Sequence, residues 1–252
     1  MNTDSYKENH LNRFRELAER SERERIYIYS DFHSPTGASF AYQVAEDGFV
    51  RLWGGCEDAE RVMVRFGCPE DLGYDEAFPI VTLRIAPTQP RFADELSHRD
   101  FLGALMNLGI ERSVMGDVLV QDKEAYVFVC ERIAPFITES LTKVKHTTVK
   151  AEPVGCLPDS FERKLIEETL VADSERLDGI VAKVYHLSRS DAKAIFTAGE
   201  VFVNGRMAAD PTICPREGNV IAVRGRGKFR YDGIARKTSK DRYAIVITRY
   251  GS

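Results

Sequence analysis

The charge of the chain is distributed unevenly, and this distribution divides it into two parts. Residues 171–252 contain 15 Lys and Arg against 9 Asp and Glu, a net charge of +6. Residues 1–170 contain 20 against 30, a net charge of −10. A basic segment beside an acidic body is typical of a polyanion-binding module joined to another unit. The sequence therefore predicts at least two folding units, of which the last is the basic one.

The composition excludes several classes of protein. With 252 residues, 43% of them hydrophobic, the chain is able to bury the cores of two or three domains. No apolar run approaches the roughly 18–20 residues of a membrane span, and residues 1–25 lack the apolar stretch of a signal peptide. The five cysteines, at 56, 68, 130, 156 and 214, form no Cys-x-x-Cys pair. We therefore expect a cytoplasmic protein without disulfides, structural zinc or cofactor.

The first 156 residues are predicted to contain two α+β units. In residues 1–76, an amphipathic helix over 6–25 with inward Leu11, Phe14, Leu17 and Ala18 precedes short strands, which indicates an N-terminal α/β unit. In residues 77–156, strands and helices, the second helix over 134–144, follow the order β-α-β-β-α-β. That order is typical of a ferredoxin-like (RRM-like) middle domain, a plan that RNA-binding domains share with many enzymes.

The rest of the chain is predicted to contain a linker and a C-terminal domain. Residues 157–173 are interpreted as a charged linker, helical over 161–170. The domain over 174–252 begins with two short amphipathic helices, the second capped by Ser188, and continues with a hairpin at Asn204-Gly205. The predicted fold class is therefore α+β throughout.

Basic residues of the C-terminal domain are predicted to face RNA. The apolar faces of its two helices are already assigned to the core, so their Lys and Arg side chains point outward, where they attract phosphates. The domain resembles the S-four RNA-binding domain over about 50 positions, which implies that residues at the helix starts and the hairpin support an RNA surface. Together, the two arguments give these candidate RNA-binding residues: Arg176, Lys183, Ser188, Arg189, Ser190, Lys193, Asn204, Arg224, Arg226 and Lys228.

The chain as a whole resembles the YlmH family of bacterial S-four proteins, also called RqcP. The resemblance rests on residues 96–110, Arg112, residues 115–118, Gly54-Gly55 with residues 59–61, and the turn at 224–228. It implies a non-catalytic RNA-binding protein that binds the large ribosomal subunit through rRNA and peptidyl-tRNA. It also implies a role, beside the tailing factor RqcH, in adding C-terminal alanine tails to stalled chains. Neither a membrane nor DNA is an expected partner.

Two other functions remain open from the sequence. One is an interaction or assembly factor, related to cell division or photosystems and only localised by RNA; the other is a cryptic RNA-modifying enzyme. Against the enzyme, Asp178 and the pair His98 and Asp100 occupy the first turns of predicted helices, where we expect structural roles. Tyr126 and Phe128 share a strand face that would suit base stacking if it were exposed, but we expect both side chains to be buried.

Overall fold

Three sheets organise the molecule, two in residues 1–159 and one in residues 160–252, and these ranges form two separate compact units. The computed structural model of the chain describes residues 3–45, 48–57, 59–158, 161, 165–238 and 241–250. Helices and strands are mixed in both units, so the predicted α+β class is confirmed.

The first sheet has three antiparallel strands in the order β1-β3-β2. The long first helix covers it with the predicted apolar side, on which Phe14, Leu17 and Ala18 are buried. Ser34 caps the second helix by accepting the N–H of Gly37. The elements are α1 (Thr3–Glu24), β1 (Ile28–His33), α2 (Pro35–Ser39), a 3₁₀ turn (Phe40–Gln43), β2 (Val50–Trp53), β3 (Val62–Phe66) and α3 (Pro69–Leu72).

The second sheet has five strands in the order β5-β6-β4-β8-β7, and two helices pack on one of its faces. Its main elements follow the predicted β-α-β-β-α-β order, but the second helix is shorter than predicted, because residues 143–144 form a strand. The elements are β4 (Ile80–Pro87), α4 (His98–Asn107), β5 (Met115–Gln121), β6 (Glu124–Cys130), α5 (Ala134–Ser140), β7 (Lys143–Val144) and β8 (Thr147–Val154); short 3₁₀ turns cover Pro90–Phe92, Arg112–Val114 and Glu131–Ile133.

The third sheet has six strands in the order β11-β10-β12-β13-β14-β9. Helices α6 and α7 contribute Leu177, Ile180, Val181, Ile195 and Phe196 to the core against it, as their apolar spacing predicts. The elements are β9 (Leu165–Ala172), α6 (Leu177–Val184), α7 (Arg189–Thr197), β10 (Val201–Val203), β11 (Arg206–Met207), β12 (Val220–Val223), β13 (Gly227–Lys237) and β14 (Tyr243–Tyr250).

Within the predicted linker over 157–173, the helix expected over 161–170 is wrong from residue 165 onward, while residues 159, 160 and 162–164 lie outside the described residues. Residues 165–172 form β9, an edge strand that pairs with β14 along its whole length, from Leu165 opposite Tyr250 to Ala172 opposite Tyr243. The C-terminal unit therefore begins near residue 160 rather than at 174. The further division of residues 1–159 at residue 76 stays a prediction, since these residues cluster as one unit.

Candidate nucleic-acid interface

The two short helices of the C-terminal unit hold their basic side chains away from the core. Ser188 caps α7, accepting the N–H of Asp191 at 3.1 Å, as the sequence predicts. The buried faces of both helices pack on the sheet, so that Lys183, Arg189 and Lys193 are all exposed. Lys183 and Lys193 make no ion pair with any residue in the described ranges. These helices therefore present cationic groups that are available to a polyanion.

Arg189, at the first position of α7, is almost fully exposed. Its side chain is 92% exposed, and its Nη2 lies 3.6 Å from Oδ2 of Asp173, the residue that follows β9. Arg242 lies on the other side of this carboxylate, with Nε 2.8 Å from Oδ1. The Nε–H of Arg242 does not point at an acceptor, so this contact is an ion pair without a hydrogen bond. Asp173 thus joins the start of α7 to the end of the β13–β14 hairpin.

The turn between β12 and β13 lies against the opposite end of α7. The backbone N–H of Arg224 donates to the carbonyl of Glu200 at 2.9 Å, just after that helix. The hydroxyl of Tyr185 donates to the carbonyl of Gly227 at 2.9 Å. Arg224 and Arg226 are exposed between these anchors.

The glycines of this turn leave its backbone open. Gly225 and Gly227 have positive φ angles of 69° and 99°, and a Cβ at either position would meet no atom within 4 Å. The turn therefore offers backbone as well as cationic side chains to a partner, which fits the role predicted for its glycines.

Helix α7 connects these two basic regions. Its nine residues span about 13 Å, from Arg189 beside the hairpin end to the turn that carries Arg224. Lys193 lies between them on the exposed side. Neighbouring phosphates of a nucleic acid strand lie closer together than this, so the line from Arg242 through α7 to Arg226 is long enough to meet more than one phosphate. We call this line of side chains the basic track.

Other predicted residues are already engaged within the protein. Arg176 forms a two-pronged contact with Asp178, at 2.7 and 3.1 Å, which holds the pKa of the Asp178 carboxyl below its usual value. Oδ1 of Asn204 accepts the N–H of Val220 at 2.9 Å and fixes the hairpin turn. The hydroxyl of Ser190 lies 2.7 Å from that of Ser188. These residues shape the surface, while the exposed cations supply its charge; RNA contact by any of them stays a prediction.

Three residues at one end of the basic track were not predicted from the sequence. Asp173 fell within the supposed linker, and Arg242 belongs to a tail in which no motif was recognised. Lys237 lies beside them, with Nζ 5.0 Å from the centre of the Tyr243 ring. Residues 220–252 contain nine basic and two acidic residues, and this imbalance was the sequence feature that could have pointed to Lys237 and Arg242.

The sheet face that carries the aromatic side chains in the middle of the chain is covered. Tyr126 and Phe128 are 6% and 0% exposed, so their predicted burial is confirmed. Phe128 packs against Phe32 and Met63 of the first sheet. A Cβ on Gly55 would lie 2.2 Å from the Phe128 ring, so only glycine allows this approach.

The residues that carry the YlmH resemblance build this same joint. Arg61 donates from its side chain to the carbonyls of Met115, Phe32 and Arg112, each at 2.9 Å. The carboxylate of Asp117 accepts the backbone N–H groups of residues 60 and 61 at 2.6 and 3.1 Å. These motif residues therefore stabilise the fold, and the guanidinium group of Arg61 is occupied by hydrogen bonds to carbonyls.

His98 and Asp100 show no catalytic arrangement. Asp100 closes a capping box by accepting the Ser97 N–H at 2.8 Å, and Lys145 lies 2.8 Å from it. The contacts with Lys145 and Ser97 lower the pKa of the Asp100 carboxyl to about 2. His98 is exposed. Within the described ranges, no three His, Cys, Asp or Glu side chains are grouped as a metal site would require.

Comparison with known proteins shows which family this chain resembles. Residues 74–156 match a family described as a putative RNA-binding domain in YlmH. A curated relative, the ribosome-associated protein quality control protein P2 of Bacillus subtilis (strain 168), is 27% identical over 208 residues, which cover 78% of this chain and 76% of the relative. The resemblance to the YlmH/RqcP family is therefore confirmed.

A solved structure is also similar to this chain. The cell division protein ylmH from Streptococcus pneumoniae aligns with a TM-score of 0.49 and 18% identity, over 64% of this chain and 94% of that one. Among the residues that the structure describes, none of the helices combines the length and the apolar character that crossing a membrane requires.

Proposed function

We propose that this chain is a non-catalytic RNA-binding protein of ribosome-associated quality control, and that an S-four-type C-terminal domain supplies its main RNA surface. The basic track carries this proposal. Exposed cations suit phosphates when no close carboxylate neutralises them, and the ion pair of Arg189 with Asp173, at 3.6 Å, is a long one. Arg224 and Arg226 at one end, Lys193 in the middle and Arg189 at the other give such a surface an extended shape.

A second surface of this chain, in residues 74–156, is also a candidate for RNA binding. The matched family is described as RNA-binding, and its match covers residues 74–156, a ferredoxin-like domain in our interpretation. Those residues contain nine Lys and Arg against twelve Asp and Glu. Several of the nine are engaged, as Arg84 is by Glu124 and Glu152 at 2.7 and 3.2 Å. Arg99 is exposed and unpaired among the described residues, so it is the test residue for this surface.

The relative's name supports the ribosome as the partner. We propose that the RNA comprises large-subunit rRNA together with peptidyl-tRNA, since a small basic domain at the subunit interface is able to touch both. Binding then favours one tRNA position over another through different affinities for the two states, while the tailing factor RqcH directs alanine addition. No catalytic side chain is needed, and the proposal carries a cytoplasmic location with it.

Deleting the gene in its host tests this proposal. We expect C-terminal alanine tails on stalled nascent chains to disappear in the deletion strain. The wild-type gene should restore them, whereas the Arg189→Ala variant should fail to do so at equal protein level. Sucrose-gradient sedimentation should find the wild-type protein with free large subunits. Tails that persist in the deletion strain would remove the quality-control role and leave RNA binding to be judged separately.

A further inference from the structure

The carboxylate of Asp173 stands between two cations at one end of the basic track. Asp173 follows the last residue of β9 and its side chain is 62% exposed. Arg189 and Arg242 approach its two oxygens from different elements, the start of α7 and the start of β14. Because β9 was not foreseen in the sequence, neither was this convergence.

The same carboxylate borders a cleft with further cationic groups. The cleft has a volume of about 340 Å³ and lies between the end of β9 and the turn that joins α6 to α7. Asp173, Lys183, His186 and Arg189 all line it. A phosphodiester group fits well within such a volume. Ser174 also lines the cleft, and three of its five polar side chains are able to carry positive charge.

The contacts of Asp173 are those of a loosely held anion. The 3.6 Å separation from Arg189 exceeds hydrogen-bond length, and the Nε–H of Arg242 is not directed at the carboxylate despite the 2.8 Å separation. Arginine prefers a two-pronged contact with carboxylate or phosphate oxygens, and neither arginine achieves one here. Arg189 therefore retains its donors for a better-placed anion. Arg242 retains only part of its own, because its Nη2 donates to the carbonyl of Val171 at 3.4 Å and its Nε is buried.

We infer that Asp173 occupies the position of an RNA phosphate in the free protein, so that Arg189, Arg242 and Lys183 form a phosphodiester site once RNA displaces this carboxylate. This inference rests on the proposed function, because it assumes that RNA binds the basic track. The carboxylate competes with the phosphate for the two arginines, and removing its charge favours the bound state. Asp173 is thus a residue that weakens RNA binding while keeping two arginines in place.

The experiment compares two variants of the full chain that lose the same charge. Asp173→Asn removes the competing carboxylate, and Glu167→Gln removes a carboxylate of the same strand that pairs with no cation among the described residues. Binding of a fluorescently labelled tRNA transcript is titrated at fixed ionic strength, and thermal unfolding verifies that both variants fold. We expect Asp173→Asn to lower Kd about five-fold, the scale of an exposed ion pair, and Glu167→Gln to change it less than two-fold.

A double variant separates this inference from the function on which it rests. In the Arg189→Ala background, the gain from Asp173→Asn should fall to less than half, because one of the released arginines is missing. Equal gains from Asp173→Asn and Glu167→Gln would overturn the inference, and so would weaker binding by Asp173→Asn. In both cases a loss of affinity in Arg189→Ala alone would leave the proposed function standing. Failure of the wild-type chain to bind RNA would remove both.

Discussion

Arg61 and Arg65 of the first unit and Arg189 and Arg226 of the second have opposite roles. In residues 1–159, Arg61 donates to three carbonyls, and Arg65, 3% exposed in its side chain, lies 2.6 Å from Asp75 with its guanidinium 4.3 Å from the centre of the Tyr27 ring. In residues 160–252, Arg189 and Arg226 extend into solvent. The charge of an arginine is therefore a poor guide to its role until its neighbours are known. An arginine surrounded by buried carbonyls donates to them and stabilises the fold. Where such carbonyls are absent, its donors remain available to a ligand.

The largest test of this comparison is the removal of a structural arginine. Arg61→Ala removes three side-chain hydrogen bonds to carbonyls together with the packing of a half-buried side chain, so we expect the free energy of unfolding to fall by about 4 kcal/mol. Urea denaturation of the full chain measures it. Arg51→Ala, which removes a side chain that is 62% exposed, is the control and should cost less than about 0.5 kcal/mol. If the two variants were equally stable, Arg61 would not be structural.

Adding a methyl group at Gly55 tests how closely the two sheets of the first unit must approach each other. Gly55→Ala places Cβ 2.2 Å from the Phe128 ring at a φ of +100°, and we expect a destabilisation of about 3 kcal/mol. Gly48→Ala has a similar φ of +93° but meets nothing within 4 Å, so it isolates the backbone cost of about 1 kcal/mol. Equal losses of stability would show that the close contact with Phe128 is not rigid.

A buried cation without a partner should be poorly tolerated, and His33 allows this to be measured. Burial, followed by repulsion from His10 and Arg61, lowers the pKa of His33 to about 4, although Asp31 opposes the shift. Protonation therefore favours the unfolded chain, whose His titrates near its usual value. Stability is fully present above about pH 6.5 and should fall by about 2–3 kcal/mol as the pH decreases to about 4.

Substitution of the histidine assigns this pH dependence. In His33→Phe, whose ring is able to pack beside Phe14 as the imidazole does at 5.0 Å, the difference in unfolding free energy between pH 7 and pH 4.5 should shrink. His98→Phe, at an exposed position, should keep the wild-type difference. An unchanged pH dependence in His33→Phe would assign the acid sensitivity to other groups.

The smallest expected effect concerns a solvent-facing arginine. Arg189→Ala should weaken RNA binding by about 1.5 kcal/mol, the scale of a charge-assisted hydrogen bond, with the melting temperature nearly unchanged. Filter binding across a salt series should give a shallower dependence on salt, because one phosphate contact is lost. Arg99→Ala removes an exposed arginine from residues 74–156 and should have little effect. The reverse result would move the main RNA surface to the middle of the chain.

Local patterns in the sequence predicted helices α6 and α7 and the β-α-β-β-α-β order of residues 77–156, whereas strand β9, which depends on long-range pairing, was predicted as a helix. The apolar spacing of α6 and α7, the Ser188 cap and the Asn204-Gly205 turn are all properties of neighbouring residues. Strand β9 depends instead on β14, about 80 residues away, and its mixture of Glu with Leu and Thr suits a helix equally well. In β13, Gly233 at a register shift and several charged residues weaken the strand pattern.

The candidate site was predictable to the same extent. Arg189 and Lys193 follow from helix periodicity, because a residue opposite the apolar face must point outward. Arg242 and Asp173 join them only through the pairing of β9 with β14, which no local pattern reveals. The structure also changes the shape of any isolated RNA-binding fragment: one that begins at residue 174 would lack β9 and Asp173.

The cover over Phe128 has a consequence for how this protein is dissected in the laboratory. A fragment limited to residues 74–156 would lose Phe32 and Met63, and Phe128 would become accessible on a sheet that RNA-recognition domains use for base stacking. We expect such a fragment to gain affinity for single strands, or for itself, through this newly exposed face. RNA binding by the excised fragment therefore results from the truncation, unless substitution of the same residues also weakens RNA binding by the whole protein.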